Sequence, residues 1–109
     1  AQHIPALTVQ GNIDSDTLLV GWGSTEGHLH AAANELNCAL AHFNYINPLP
    51  ANTQEILSQY KKIVVCELNN GQFATVLRAK IPGIELLQYN EIMGQPFAIE
   101  RIVEHVKNI

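Results

Sequence analysis

The chain has 109 residues, with ten Asp and Glu against six Lys and Arg and a net charge of −4, so nucleic acid and anionic membranes, which require clustered cations, are not expected partners. Its length suits one domain over residues 1–109 that buries a core without metal or disulfide staples. Hydrophobic residues make up 47% and charged residues 15%, against about 25% charged in ordinary soluble domains, so part of the surface is expected to meet another protein surface.

The chain opens AQHIPALTVQG, without Met and already close to strand-like sequence, which reads as an excised piece of something longer or as a processed N-terminus. A short strand is predicted at Leu7 to Val9, followed by the loop GNIDSD. Leu18 to Trp22 (LLVGW) is a continuous apolar run of the kind buried on both faces of a parallel sheet. Leu29, Ala32, Ala33 and Leu36 then follow helical spacing. Ser24 or Thr25 is placed to cap that helix, and Glu26 to favour its positive end.

A third strand is predicted at Ala41 to Ile46 (AHFNYI), with Tyr45 in the core, before the loop NPLP. Asn52 and Glu55 form a capping-box pattern ahead of a short helix carrying Ile56, Leu57 and Tyr60. Ile63 to Cys66 (IVVC) is a second continuous apolar run, and Phe73, Val76 and Leu77 mark the next helix. The loop IPG leads into a strand at Ile84 to Tyr89. Pro96, just behind Gly94, suits the first position of a last helix built on Ile99, Ile102, Val103 and Val106. The order β-β-α-β-α-β-α-β-α predicts an α/β fold, a three-layer α/β/α sandwich. No apolar run approaches the ~20 residues needed to span a bilayer, and the chain is expected to be soluble and cytoplasmic.

Right-handed crossovers bring the loops after parallel strands to one edge of the sheet, where such folds bind ligands. Two loops meet that description: GWGSTEG after the second strand and ELNNGQ, Glu67 to Gln72, after the fourth. A glycine-rich turn at a helix start can hold a phosphate on its free N–H groups. This one lacks the Lys of a Walker loop, spaces Gly21, Gly23 and Gly27 as GxGxxxG, and sets the repelling Glu26 beside them. It reads mainly as a structural turn, with a crevice for a small anion or nucleotide between the two loops as the alternative, in a free-standing module.

Glu67 is the ionisable residue of most interest. At the end of a buried strand, beside Asn69, Asn70 and Gln72, it could serve as a general base if burial raised its pKa. The other reading is a brace that accepts N–H groups from its own loop or from the Ser24-Thr25 turn, and this is the one the surroundings favour. No nucleophile, second carboxylate or metal cluster is placed to complete a catalytic site. His28 and His30 point apart on a helix, while His3, His42 and His105 are isolated. Cys38 and Cys66 lack CxxC spacing and read as small buried hydrophobes.

The segments VGWGSTEG, NPLP, ELNNGQ and MGQPF, in this order and at these intervals, resemble the C-terminal domain of the alpha subunit of 2-oxoacid:ferredoxin oxidoreductases, particularly the 2-oxoglutarate type. The resemblance runs from about Leu7 to Val106. It implies a domain like the transketolase C-terminal domain, with a five-stranded mixed sheet of order 1-3-2-4-5 and an antiparallel first strand. The parent enzymes it implies convert a 2-oxoacid and CoA to acyl-CoA, CO2 and reduced ferredoxin, using thiamine diphosphate, Mg2+ and an iron–sulfur cluster. This sequence has no GDG-type thiamine motif, and two separated cysteines cannot supply the four ligands of a cluster. The domain itself is therefore expected to be catalytically silent. Its two polar loops would contact the remainder of the alpha subunit or a beta subunit. Trp22 and Phe97 are the aromatic anchors proposed for that contact.

Overall fold

In the computed structural model, residues 6–22, 26–43, 49–67, 72–90 and 99–108 are described. The two continuous apolar runs stand side by side at the centre of a five-stranded sheet: β2 (Thr17–Trp22) and β4 (Lys62–Glu67). Strand β3 (Ala39–Phe43) lies on the other side of β2, and β1 (Val9–Gly11) and β5 (Leu87–Asn90) form the edges. The order is β1-β3-β2-β4-β5, with β1 antiparallel to β3 and the remaining neighbours parallel. Among the described residues, three helices connect them, α1 (Glu26–Leu36), α2 (Thr53–Leu57) and α3 (Gln72–Lys80), and α4 (Ile99–Lys107) follows β5.

Alternation along the central strands divides the core between the two faces of the sheet. Leu18, Val20, Ala41, Phe43 and Val65 pack with Leu57 of α2 and Phe73, Ala74 and Leu77 of α3. Leu19, Leu40, Val64 and Cys66 pack with Leu29, Ala32 and Ala33 of α1 and Ile102, Val103 and Val106 of α4. The layers are thus α2 and α3, the sheet, and α1 and α4. Among the described residues, no helix is long and apolar enough to cross a membrane.

Element existence, type and order follow the sequence reading, while several boundaries move. Strand β3 starts two residues earlier than Ala41, and residues 44–48, with Tyr45, lie outside the described part. Strand β5 starts at Leu87 because a turn consumes the residues before it: the Ile84 N–H donates to the Ile81 carbonyl at 3.2 Å, and Gly83 adopts φ +86°. Strand β1 begins at Val9, not at Leu7.

The reason for that last shift is Asn52. Its side chain caps no helix, contrary to the capping-box expectation. Its Oδ1 accepts the Leu7 N–H at 2.7 Å and its Nδ2 donates to the Leu7 carbonyl at 2.9 Å, across 45 residues. The carboxamide takes the place of a neighbouring strand's peptide group. Asn52→Ala is therefore expected to cost about 1–3 kcal/mol, since both backbone groups of Leu7 lose their partner. Asn52→Asp keeps one acceptor and removes the donor, and should fall between the two in urea denaturation.

Helix α1 ends in a Schellman arrangement. Asn37 takes the left-handed conformation at φ 55°, the Cys38 N–H donates to the Ala33 carbonyl at 3.0 Å, and the Asn37 N–H donates to the Asn34 carbonyl at 3.3 Å. The adjacent end of β1 requires glycine, because Gly11 has φ +76° and a Cβ there would meet the Cys38 carbonyl oxygen at 2.6 Å.

Candidate functional site

Strands β2 and β4 run parallel and adjacent, so they deliver Trp22 and Glu67 to the same edge of the sheet, where the two polar loops begin. Glu67 is 3% exposed. Its Oε1 accepts the Phe73 N–H at 2.7 Å and its Oε2 accepts the Ala74 N–H at 3.0 Å. These N–H groups belong to the first turn of α3, which has no intrahelical acceptors for them. A carboxylate here also complements the positive end of the helix dipole. Both oxygens are thus engaged by backbone donors, the arrangement of a brace that ties β4 to α3.

Trp22 stands next to Phe43 in the β2–β3 register. Its ring lies 5.9 Å from that of Phe73, tilted by 36°, and Phe73 meets Phe43 edge-on at 5.0 Å. Trp22 therefore packs against α3 and remains 38% exposed. Ser24, Thr25, Asn69, Asn70 and Phe97 lie outside the described residues, as does the proposed first-turn Pro96. Gln72 begins α3. The structure thus brings Trp22 and Glu67 together through Phe73, which each of them contacts.

The histidines are spread over several elements, and His3 lies outside the described residues. His42 is on β3, and His105 of α4 lies against the Tyr89 ring at 5.0 Å. Among the described residues, no group of three His, Cys, Asp or Glu side chains could hold a metal ion. The two cysteines are free and buried. Cys38 precedes β3 and Cys66 is on β4, with β2 between those strands. Two strand spacings of about 4.8 Å already exceed the Cα separation of about 7 Å that a disulfide tolerates. Two thiols also fall short of the four ligands of an iron–sulfur cluster.

Burial shapes the chemistry of both thiols. It pushes Cys38 up from 9.0 to about 11, and it pushes Cys66 up to about 12, with the charges of Cys38 and Glu67 adding to the effect. A raised folded-state pKa means that the folded form holds its proton longer than the unfolded form. The associated stability is fully present below about pH 9 and is lost as pH rises towards 11 and 12. Urea midpoints are expected to show no thiol-linked change between about pH 7 and 8.5 and to fall above about pH 9, with the fall shallower in Cys66→Ala. In the native state at pH 8, neither thiol should react with iodoacetamide on the timescale of a free cysteine.

What the sequence did not reveal is polar chemistry away from this edge. The Tyr60 hydroxyl donates to the Ile13 carbonyl at 3.0 Å across 47 residues, and the buried Thr53 hydroxyl donates to the Pro50 carbonyl at 2.7 Å. Cations that are scattered in sequence also gather. Lys61, Lys62 and Arg78 line one cleft of about 470 Å³, and Arg101 with His105 lines another of about 480 Å³. Both clefts border β5. Only Lys61-Lys62 could have signalled this, as the single basic pair.

Against known proteins, no family model matches the chain. The 2-oxoglutarate oxidoreductase subunit KorA of Mycobacterium tuberculosis is 36% identical over 111 residues, covering 96% of this chain and 17% of that protein. A solved structure of 2-oxoglutarate:ferredoxin oxidoreductase from Magnetococcus marinus, with 2-oxoglutarate, coenzyme A and succinyl-CoA bound, aligns with a TM-score of 0.85 at 28% identity. That alignment covers 96% of this chain and 20% of the other. The chain spans a fifth or less of the length of these relatives. Over nearly all of its residues, it is homologous to one segment of 2-oxoglutarate oxidoreductase subunits.

Proposed function

We propose that these residues form a single domain, the C-terminal domain of the alpha subunit of a thiamine-diphosphate-dependent 2-oxoglutarate:ferredoxin oxidoreductase, of the transketolase C-terminal type. Its role is assembly, not catalysis. The observation that carries this reading is the 36% identity, across 96% of the chain, to a relative named as a 2-oxoglutarate oxidoreductase subunit. The engagement of both Glu67 oxygens by α3 supports the silent role, because it uses the one carboxylate that is buried among the described residues as a structural acceptor.

In this reading the parent enzyme converts 2-oxoglutarate and CoA to succinyl-CoA and CO2, passing electrons to ferredoxin in the cytoplasm. Thiamine diphosphate, Mg2+ and the iron–sulfur cluster supply the decarboxylation and electron-transfer chemistry from other parts of the complex. The loops carrying Trp22, Ser24, Thr25, Glu67, Asn69, Asn70, Gln72 and Phe97 contact the rest of the alpha subunit or a beta subunit. Trp22 contributes the exposed aromatic surface of that contact.

The test is the size and company of the native polypeptide, read by immunoblot with an antibody raised against this domain. A band of several hundred residues that co-purifies with a thiamine- and iron–sulfur-containing partner is expected. A band at this chain's own size, without such a partner, would refute the assembly role. The isolated chain should also show no 2-oxoglutarate- and CoA-dependent reduction of a viologen dye.

A further inference from the structure

We propose that the outer edge of β5 is a docking strip for an acidic, extended segment of a second polypeptide, which would add to the sheet as a sixth strand. Strand β5 ends the sheet and pairs with β4 alone among the described strands. Its sequence, Leu87-Gln88-Tyr89-Asn90, contains none of the features that protect edges from pairing: no charge, no proline and no bulge. Leu87 is 41% exposed on it.

The opposite edge is built differently. Strand β1 has three residues and stops at the left-handed Gly11. An added strand there would find little to pair with, whereas β5 offers four residues of regular backbone.

Charge decides what could pair with it. The chain as a whole is acidic, at −4, yet four of its six Lys and Arg residues line the clefts on either side of β5. Lys61, Lys62 and Arg78 line the cleft that includes Leu87, and Arg101 lines the one that includes Tyr89. Among the described residues, Glu85 and Glu104 are the acidic ones lining these clefts, against the four Lys and Arg of this rim. An extended segment with acidic side chains would gain main-chain hydrogen bonds from the strand and steering from the rim. A second copy of this chain is the wrong occupant, because pairing β5 with itself would set two such rims against each other. The inference stands on this charge layout and survives if the assembly role proposed above fails.

The test is a titration of the 15N-labelled chain with a peptide of alternating glutamate and valine, and separately with its lysine–valine counterpart. The acidic peptide is expected to shift and protect amides in β5, with smaller shifts at the C-terminal turn of α3 and along α4. Its affinity should fall with added salt, and by about tenfold in Arg78→Glu/Arg101→Glu. Both substituted side chains are exposed, and Lys61→Glu, also exposed, should weaken binding if the double variant does not fold. Equal binding of the two peptides, shifts confined to other elements, or no shifts at all would overturn the proposal. So would concentration-dependent protection of β5 without peptide, which would assign the edge to a second copy.

Discussion

Replacing Glu67 with alanine is expected to destabilise the chain by about 3–5 kcal/mol, an effect on the scale of a large core deletion. Two buried N–H groups of α3 lose charged acceptors at 2.7 and 3.0 Å together. Water has little access to replace them, since the site is 3% exposed. Glu67→Gln should cost less, about 1–3 kcal/mol: one oxygen still accepts, but the amide NH2 faces a second N–H donor. Urea denaturation followed by circular dichroism gives the magnitudes, and amide exchange at Phe73 and Ala74 gives the location. A catalytic base would behave differently, with Glu67→Gln leaving stability near wild type and abolishing a turnover.

Phe73→Ala is expected to cost about 3–5 kcal/mol. The ring is 1% exposed and is the shared neighbour of Phe43 and Trp22, so its removal leaves a cavity bounded by two rings that rigid strands hold in place. Collapse into that space would require moving β2 or β3, which are central in the sheet. Phe73→Leu retains most of the volume and should lose about 1–2 kcal/mol. The two series are read in one urea experiment. Glu67 and Phe73 both act on the first turn of α3, so the double variant should lose less than the two single losses combined.

The central architecture was legible because its signals were redundant. LLVGW and IVVC are apolar on both faces, which is what central parallel strands require, and helical spacing identified α1 and α4 through the residues that fill one core. Strand order and the reversed first strand came from the family resemblance, and the structure has both. The Asn52–Glu55 pattern misled because a capping box is a local signal, while the Asn52 amide is claimed by a peptide group 45 residues away. Strand β5 was placed too early because Ile84 and Leu86 have strand-like side chains, whereas the turn at Gly83 sets where pairing starts.

For the site, the sequence identified Glu67 as unusual, since a carboxylate following IVVC has to be either satisfied or reactive. Which of the two holds depends on where α3 begins relative to the strand end, a geometric matter that residue types do not encode. The basic rim of β5 was illegible for a related reason. Its members come from the start of β4 and the residue before it, α3 and α4, up to 40 positions apart in the chain, and only the folded sheet brings them near β5.

Trp22 is the sole tryptophan of the chain, and its position, partly exposed beside Phe73, makes the protein its own optical reporter. The fluorophore sits at the loop edge of the sheet and reads whatever covers that edge, while β5 is separated from β2 by the whole of β4. Assembly through the polar loops should move the emission to shorter wavelength and shield it from iodide. Capture of a strand along β5 should leave it unchanged. One emission spectrum therefore distinguishes two binding events that a change in mass alone would confuse.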